Sequence, residues 1–407
     1  MNILVTGSNG FVGRNLVESL KSIRDGKDRR PEYRSLLPIE IYECDKDTPS
    51  DELANYCEMA DFVFNLAGEN RPIDPKMFVE GNCGFLTNLL TMLERAGNNP
   101  PVMLASSVQA SLLGRYANSE YGASKREAEK RLFDYSQKHA STVYVFRFPN
   151  LYGKWCRPNY NSAIATFCDA IANDRPYSVS DPSVVLELLY IDDLIEGMLQ
   201  CLLGRVERCD YDGTALVPCA TGSFCYIPST DSASLGEIIS LLEEFKESRY
   251  SLMLPQAAKG TFANKLFATF ESYYSPAALA YPLEAHADDR GAFAEFLRTD
   301  DCGQLSVNYS KPGVTKGNHW HNTKWEKFLV VSGEALIRLR KIGRDTKGLP
   351  YPVQEYRVCG SRPEVVEMAP GYTHSITNTS QDNDLVTVMW ANEPFDPNCP
   401  DTYYEEV

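Results

Sequence analysis

The sequence predicts a protein with two domains, a doubly wound parallel α/β sheet followed by an all-β barrel. Up to about residue 245, short apolar runs alternate with helical stretches, which is typical of a parallel sheet covered on both faces. From about residue 285, short β-forming runs between Gly and Pro turns indicate a barrel. The length of 407 residues fits two domains better than one.

The elements of the first domain, 1–245, follow from its apolar runs. Runs typical of buried strands occupy 3–6, 39–42, 62–66, 102–105 and 143–146. Helical stretches separate them at 11–19, 50–59, 82–96 and 124–138. The segment 204–230 is loop-like in composition, and Ser234 then opens a helix, with Glu237 completing a capping box.

The remaining chain divides into a linker and the barrel. The linker, 246–284, is rich in tyrosine and mixed in pattern, and we expect it to be helical. The barrel domain, 285–407, contains β-forming runs at 304–309, 327–331, 335–339, 365–368 and 385–390.

Composition excludes several classes of partner and compartment. The formal net charge is −15 and the pI about 4.9, which argues against a nucleic acid or an anionic membrane surface as partner. No signal peptide pattern opens the chain, and no apolar run approaches the roughly 20 residues of a membrane span. The twelve cysteines are scattered, without a C-x-x-C pair. We therefore expect a cytoplasmic protein with reduced, mostly buried thiols.

A glycine-rich turn, Gly7-Ser8-Asn9-Gly10-Phe11-Val12-Gly13, joins the first strand to the first helix. The three glycines allow a sharp turn, close approach to a pyrophosphate, and close packing of helix on strand. The helix N-terminus then offers N–H groups to the phosphates. Its position between strand and helix favours a Rossmann-type dinucleotide site over a turn without a ligand. The expected contacts are Gly7, Asn9, Gly10, Phe11 and Gly13.

Tyr121 and Lys125 lie four residues apart on one face of a predicted helix. An ammonium beside a phenol lowers the pKa of the phenol. Such a tyrosine can donate a proton to a carbonyl oxygen as hydride reaches the carbon. Ser107 ends the fourth strand, where open α/β sheets bind ligands, and we expect it to bond the same oxygen, with Ser106 as the alternative. Ser107, Tyr121 and Lys125 therefore predict a carbonyl reductase.

This region resembles the extended short-chain dehydrogenase/reductases that act on nucleotide sugars. The likeness includes Asn65-Leu66-Ala67-Gly68 and Arg147-Phe148-Pro149-Asn150-Leu151-Tyr152-Gly153. It implies that Leu66 and Ala67, with Tyr121 and Lys125, contact the dinucleotide. It also implies that Asn150 and the following loop, with Trp155 and Arg157, face the sugar nucleotide. Arg157 can pair with a diphosphate, and an ordinary surface arginine is the equal alternative.

The choice between NAD and NADP rests on Glu43-Cys44-Asp45-Lys46, after the second strand. An acidic residue at this position holds the free ribose hydroxyls of NAD, whereas a basic one favours the 2′-phosphate of NADP. Asp45 and Lys46 indicate opposite choices, so both remain candidate contacts.

The chain has five histidines, and three of them, His319, His321 and His374, are candidate metal ligands in the barrel domain. On a strand His319 and His321 point to one face, and Glu326 and His374 can reach that face from neighbouring strands. Three imidazoles and a carboxylate suit Zn²⁺ or another divalent first-row ion. The frame Gly313-x5-His319-x-His321-x4-Glu326-x6-Gly333 favours a metal site over unrelated histidines.

That frame resembles the first motif of the cupin barrels, and Gly371-x-x-His374-x-x-x-Asn378 resembles part of the second. Asp289-Arg290-Gly291-Ala292-Phe293 is similar to the cupin-type sugar 3,5-epimerases, which need no metal. Their lysine and tyrosine positions hold Glu326 and Trp390 here. The resemblance therefore implies a sugar epimerase in which a Lewis-acid ion stabilises an enolate.

From end to end, the chain is similar to the bifunctional capsular-polysaccharide enzymes of the CapF type, for example at Gly317-Asn318-His319-Trp320-His321. That resemblance implies a UDP-4-keto-6-deoxy-N-acetylhexosamine that is epimerised at C3 in the cupin and reduced at C4 in the reductase domain. The implied product is UDP-2-acetamido-2,6-dideoxy-talose, on the route to UDP-N-acetyl-L-fucosamine. The resemblance also implies NADPH, with NADH as the alternative, and a homodimer.

The sequence leaves the epimerase base and two rival functions open. Candidate bases are Lys316, Tyr309, Tyr372 and a hydroxide held by the metal, and Lys316 is also the expected substrate contact. One rival is a nucleotide-sugar reductase with a structural, metal-binding cupin. The other is a dinucleotide-binding sensor without catalysis, against which the reductase residues count.

Overall fold

The computed structural model describes residues 1–70, 78–300, 303–398 and 400–407. They divide into two units, Met1–Leu242 with Lys259–Tyr274, and Glu243–Ala258 with Ser275–Val407. The chain thus enters the second unit, returns to the first, and enters the second again. The linker bounds of 246 and 284 stay a prediction.

The first unit contains an eight-stranded sheet and a three-stranded sheet. Its strands are β1 (Asn2–Thr6), β2 (Glu40–Cys44), β3 (Phe62–Asn65), β4 (Val102–Ser107), β5 (Val143–Phe148), β6 (Asn150–Tyr152), β7 (Val185–Tyr190), β8 (Arg208–Asp212), β9 (Ala215–Pro218), β10 (Phe224–Cys225) and β11 (Asp231–Ser234). The large sheet has the order β2-β1-β3-β4-β5-β10-β8-β9, and the small one β11-β7-β6. Pairing is parallel from β2 to β10.

The helices are numbered in chain order, as the strands are. They are α1 (Phe11–Arg24), α2 (Ser50–Met59), α3 (Phe85–Ala96), α4 (Glu120–His139), α5 (Ala163–Ala172), α6 (Ile191–Leu202), α7 (Leu235–Ser251) and α8 (Phe262–Glu271). Short 3₁₀ turns occupy Pro31–Leu36, Val108–Ser111, Gly114–Tyr116 and Pro276–Leu279, and a π turn occupies Val79–Gly84. Among the residues described, no helix is both long and apolar enough to span a bilayer.

Helices cover both faces of the large sheet. Neighbouring side chains on a strand point to opposite faces, so consecutive residues of one strand pack against different helices. Ile3 and Val5 of β1 pack in a cluster with α1 and α6. Leu4, between them, packs in a second cluster with α2, α3 and α4. The predicted doubly wound parallel sheet is therefore confirmed.

The second unit is antiparallel β structure. Its strands are β12 (Ala285–Asp288), β13 (Gly291–Thr299), β14 (Gly303–Ser310), β15 (Thr315–Trp320), β16 (Glu326–Ser332), β17 (Glu334–Lys341), β18 (Gln354–Cys359), β19 (Val365–Met368), β20 (Tyr372–Asn378), β21 (Leu385–Ala391) and β22 (Tyr403–Tyr404). They form sheets of order β12-β13-β14-β21-β16-β19 and β18-β17-β20-β15-β22. Both sheets contribute to one apolar core, which includes Phe328, Val330, Ile337, Ile376 and Leu385. This arrangement confirms the predicted all-β, cupin-like domain.

One element prediction was wrong and another was right. The segment 204–230, expected to be a loop, contributes β8, β9 and β10 to the large sheet. Its strand signal is weak because β9 is exposed throughout and because β10 spans two residues. The capping box forms as predicted, since the Glu237 N–H donates to Ser234 Oγ at 3.2 Å and the Ser234 N–H to Glu237 Oε2 at 2.7 Å.

The cysteines within the described residues are free thiols, and all but Cys219 and Cys359 are buried. Cys302 and Cys399 lie outside the described residues. The prediction that the cysteines are mostly buried is therefore confirmed for those that the structure describes, and their reduced state stays a prediction.

Candidate active sites of the two units

The glycine turn after β1 is packed too tightly for side chains. Gly7 has a φ of +66°, and a Cβ there would lie 2.8 Å from Ala67 N. A Cβ on Gly13 would overlap the Gly7 carbonyl oxygen. The turn closes through a bond from Gly10 N–H to Gly7 O at 3.0 Å. Gly7, Gly13 and the Leu66–Ala67 backbone therefore form a smooth cradle at the start of α1, which fits a dinucleotide pyrophosphate.

Asp45 lies beside this turn, directly after β2. Its Oδ2 accepts the N–H of Asn9 at 2.8 Å, and its Oδ1 accepts the N–H of Lys46 at 2.8 Å. Lys46 itself is exposed. The acidic residue of the pair is thus the one that contacts the glycine turn.

Tyr121, Ser107 and Lys125 lie together at the carboxyl end of β4. The Ser107 hydroxyl is a hydrogen-bond partner of the Tyr121 phenol, and it also accepts the N–H of Gln109 at 3.2 Å. Lys125 Nζ donates to the Ala105 carbonyl at 3.0 Å and lies 5.7 Å from the centroid of the Tyr121 ring. The three residues predicted from the sequence therefore meet at one place.

The electrostatics of Tyr121 differ from the expectation. Burial raises the pKa of Tyr121 to about 12, although the bond to Ser107 opposes the change. The sequence predicted that Lys125 would lower this pKa. That prediction was wrong for the protein without ligands, because the cost of burying a phenolate dominates. The phenol is therefore protonated at neutral pH.

Behind Lys125 lies a buried polar group that the sequence analysis missed. Glu129 Oε1 accepts from Ser106 Oγ at 2.5 Å and from Arg147 Nε at 2.8 Å, and its Oε2 accepts from Arg147 Nη2 at 2.6 Å. Burial lowers the pKa of Lys125 to about 8, and the negative charge of Glu129 opposes that change. The i, i+4 spacing of Lys125 and Glu129 was the available signal. Ser106, the alternative to Ser107, is engaged in this group.

The backbone after β3 connects the glycine turn to Lys125. A Cβ on Gly68 would lie 2.5 Å from Asn82 Oδ1 and 3.0 Å from Lys125 Nζ. Asn82 fixes this backbone, because its Oδ1 accepts the Glu69 N–H and its Nδ2 donates to Glu69 O, both at 3.1 Å. Asn82 was not predicted from the sequence. The candidate dinucleotide contacts thus continue from the glycine turn to the reductase residues.

The predicted substrate contacts of the first unit, Asn150, Trp155 and Arg157, each contact different neighbours. Asn150 Nδ2 donates to Glu187 O at 3.0 Å, and the Arg157 guanidinium lies 5.4 Å from the centroid of the Tyr160 ring. The Trp155 ring stacks on Arg14 of α1, 4.4 Å from its guanidinium carbon. A cavity of about 340 Å³ opens where the 3₁₀ turn after Ser107 begins. Its lining includes Val108, Arg115, Arg147, Glu187 and Tyr211.

In the second unit, His319, His321, Glu326 and His374 converge. One potential ligand atom from each lies within 4.8 Å of those of the other three. Glu326 Oε2 lies 3.5 Å from His321 Nε2 and 3.3 Å from His374 Nε2. These three atoms are buried and have no hydrogen-bond partner within the described part of the chain. Buried imidazole nitrogens and a carboxylate oxygen that converge in this way are what a divalent cation satisfies, so the residues fit a metal.

Two residues of this cluster have the charges of ligands ready for a cation, whereas at His321 the Glu326 carboxylate outweighs burial and raises the pKa of the imidazole. Burial lowers the pKa of His319 to about 4, and His374 adds to the effect. Burial opposes ionisation of Glu326, but the ring nitrogens of His321 and His374 outweigh it and hold the pKa of that carboxyl below its usual range. Neutral His319 and ionised Glu326 are the ligand forms that a metal needs.

A β-bulge in β15 places Lys316 and His319 on the same face of the strand. Lys316 pairs with Ile376 and His319 pairs with His374, with the register shifted between Gly317 and His319. Because Ile376 and His374 are two residues apart on β20, they and their partners share one face. Lys316 Nζ donates to Asn308 Oδ1 at 2.7 Å and to Tyr309 O at 2.8 Å. Burial lowers the pKa of Lys316.

Comparisons with known proteins cover both units. Residues 3–208 match the NAD dependent epimerase/dehydratase family, and residues 286–403 match the polysaccharide biosynthesis C-terminal domain. A UDP-2-acetamido-2,6-beta-L-arabino-hexul-4-ose reductase of Pseudomonas aeruginosa is 36% identical over 405 residues, which is 99% of this chain and 98% of the relative. The crystal structure of the capsular polysaccharide assembling protein CapF from Staphylococcus aureus is 42% identical, with a TM-score of 0.85 and full coverage of both chains.

Proposed function

The chain belongs to the NAD dependent epimerase/dehydratase family, in its bifunctional CapF-like form, and we propose that it acts twice on one UDP-4-keto-6-deoxy-N-acetylhexosamine. The proposed first step is epimerisation at C3 in the cupin. The second is reduction at C4 in the reductase domain by NADPH, with NADH as the alternative. The product would be UDP-2-acetamido-2,6-dideoxy-talose. The observation that carries the proposal is that one chain holds both a Ser107–Tyr121–Lys125 centre and a four-ligand cluster, with Lys316 on the same strand as the ligand His319.

In the reductase domain, the residues supply the proton and hold the carbonyl. When bound, the nicotinamide supplies the hydride. Tyr121 is protonated because burial raises its pKa to about 12, so its phenol can donate to the C4 oxygen as negative charge develops there. Ser107, hydrogen-bonded to Tyr121, would donate to the same oxygen. Lys125 places a positive charge behind the phenol, which favours the phenolate that remains.

In the cupin, Lys316 is the base that the geometry favours. A C–H beside a ketone loses its proton more easily when the developing oxyanion is stabilised. His319, His321, Glu326 and His374 would hold Zn²⁺ or another divalent ion, which when bound supplies Lewis acidity. Lys316 shares the His319 face of β15, and its lowered pKa increases the share of neutral amine that can accept the C3 proton. Tyr309, in contrast, is 44% exposed.

Four further properties complete the proposal. The domain bounds are 1–245 for the reductase, 246–284 for the linker and 285–407 for the cupin. The resident metal is zinc or a similar ion, the protein is a cytoplasmic homodimer, and Asp45 and Lys46 decide the choice of dinucleotide. Asp45 supports NADH, because its carboxylate contacts the glycine turn, whereas the likeness to the CapF type supports NADPH.

Single substitutions in the full-length chain should separate the two steps. Tyr121→Phe removes the proposed acid and should lower NADPH oxidation by roughly 10²- to 10⁴-fold, while deuterium from D₂O still enters C3. Lys316→Met removes the proposed base, so deuterium should no longer enter C3, while dinucleotide binding should stay unchanged. Absorbance at the NADPH band and NMR of the sugar measure the two steps.

Matched controls use residues of the same type outside both sites. Tyr56→Phe, on α2, and Lys311→Met, at an exposed position before β15, should leave both measurements unchanged. If C3 exchange survives Lys316→Met and removal of metal, the cupin does not catalyse epimerisation by this route. If NADPH oxidation survives Tyr121→Phe, the proposed acid is wrong.

A further inference from the structure

The C-terminal tail (400–407) lies along β15, the strand that carries the first metal ligand, His319. Within it, β22 pairs with β15 so that Tyr404 is opposite His319 and Tyr403 is opposite Trp320. The Glu405 N–H donates to Asn318 O at 3.0 Å. The Trp320 and Tyr403 rings stack with centroids 4.8 Å apart. The tail is therefore an added strand of the barrel beside His319 of β15.

Asp401 of this tail binds the ligand loop (322–325), which joins His321 to Glu326. Its Oδ1 accepts the N–H of Asn322 at 2.9 Å. Its Oδ2 accepts the N–H groups of Thr323 at 2.8 Å and Lys324 at 2.9 Å, and the Thr323 hydroxyl at 3.1 Å. One carboxylate thus holds three consecutive backbone N–H groups. A loop with so many bonds to one side chain has little freedom to move either flanking ligand.

The backbone of the same residue holds one ligand directly. The Asp401 carbonyl accepts a hydrogen bond from His321 Nδ1. A proton on Nδ1 leaves the Nε2 lone pair free, and Nε2 lies 3.5 Å from Glu326 Oε2. A ligand imidazole whose other nitrogen donates to a carbonyl is fixed in both tautomer and ring orientation.

From these contacts we propose that Asp401 is a positioning residue for the metal centre. Its carboxylate fixes the ligand loop, and its carbonyl fixes the tautomer and orientation of His321. The tail would then be a required part of the site, although the ligand pattern 319–374 does not include it. This inference rests on the proposed metal centre and adds the residue that organises it.

Zinc affinity of the full-length chain, measured by competition with a chromophoric chelator, tests the proposal. Removal of an outer partner of this kind typically weakens metal binding by roughly 10- to 100-fold, and we expect such a loss for Asp401→Ala. Asp401→Asn keeps one acceptor oxygen and should lose less. The absorption spectrum of the Co²⁺ form reports ligand geometry, and it should change more in Asp401→Ala than in Asp401→Asn.

The matched control is Asp396→Ala, which removes the same charge from an exposed residue whose Oδ1 accepts a local bond from the Asn398 N–H at 2.8 Å. It should bind zinc as the unaltered chain does. Circular dichroism of each metal-free variant checks folding, and the Asn variant serves if the Ala variant does not fold. Unchanged affinity and Co²⁺ spectrum in the Asp401 variants would overturn the positioning role alone. No zinc binding by the unaltered chain would overturn the metal centre together with it.

Discussion

Lys125 carries its amine into a site from which water is largely excluded. The side chain is 5% exposed, and burial lowers its pKa to about 8 from the ordinary value of 10.5. Between these two values the folded state binds fewer protons than the unfolded state, so stability rises with pH in that window. Over the same window Lys125 loses the charge that supports Tyr121. Stability and reductase activity should therefore change in opposite directions.

The pH dependence of reduction gives the residue-scale prediction. NADPH oxidation should fall as pH rises through about 8, because Lys125 becomes neutral while Tyr121, with a pKa of about 12, stays protonated. Glu129→Gln removes the charge that raises the pKa of Lys125 and should shift this fall to lower pH. A profile of kcat/KM against pH measures it.

Glu127→Gln is the matched control, since Glu127 is half-buried on the same helix, its side chain is 45% exposed, and it pairs with Arg131 at 3.2 Å. Its profile should coincide with that of the unaltered chain. Because Glu129 also pairs with buried Arg147, a melting curve must show that the Gln variant is folded. If Glu129→Gln does not shift the pH at which kcat/KM falls, that fall does not report the titration of Lys125.

At the scale of the element, the bulge in β15 decides which side chains meet. Gly317 has a φ of +98° and Asn318 a φ of +59°. These conformations insert one extra residue and bring Lys316 onto the His319 face. The unbulged alternation of a strand would place Lys316 and His319, three residues apart, on opposite faces. The proposed base and the first ligand therefore share a face only through this irregularity.

A pair of glycine substitutions tests the bulge. In Gly317→Ala, the Cβ would lie 2.7 Å from His374 O at a positive φ, so we expect loss of C3 exchange and weaker zinc binding. Gly313→Ala also has a positive φ, of +73°, but its Cβ meets open space. It should cost only about 1–2 kcal/mol of stability and keep C3 exchange. Both variants should bind NADPH normally, and equal C3 exchange in both would contradict the role of the bulge.

The functional residues that could be predicted from the sequence are those recognised by a short local motif. The glycine turn, Tyr121 with Lys125, and His319 with His321 are each set by spacing within a few residues. The bond from Glu129 to Arg147 and that from Asp401 to the ligand loop join residues 18 and about 80 positions apart. No local spacing marks such pairs. The bulge escaped prediction because Gly317 is as compatible with an ordinary turn as with an inserted residue.

At the scale of the whole molecule, the chain holds two units with one chemical centre each. Hydride transfer uses a dinucleotide, which the glycine turn of the parallel sheet can hold, and proton removal beside a ketone is easier where positive charge stabilises the oxyanion. Epimerisation at an enolisable carbon alone stops near equilibrium. Reduction of the resulting ketone removes one epimer and so draws the first step forward. Under the proposed function, this complementarity would explain why both centres occur in one polypeptide.

Under the proposed function, both steps occur on one sugar nucleotide. The most direct test of this proposal is a reaction of the full-length chain with a UDP-4-keto-6-deoxy-N-acetylhexosamine and NADPH in D₂O, followed by NMR of the product. We predict that the product is an alcohol at C4. Its C3 should have the inverted configuration and carry deuterium, and its C4 should carry protium from NADPH. A C4 alcohol that retains protium and the original configuration at C3 would contradict the account.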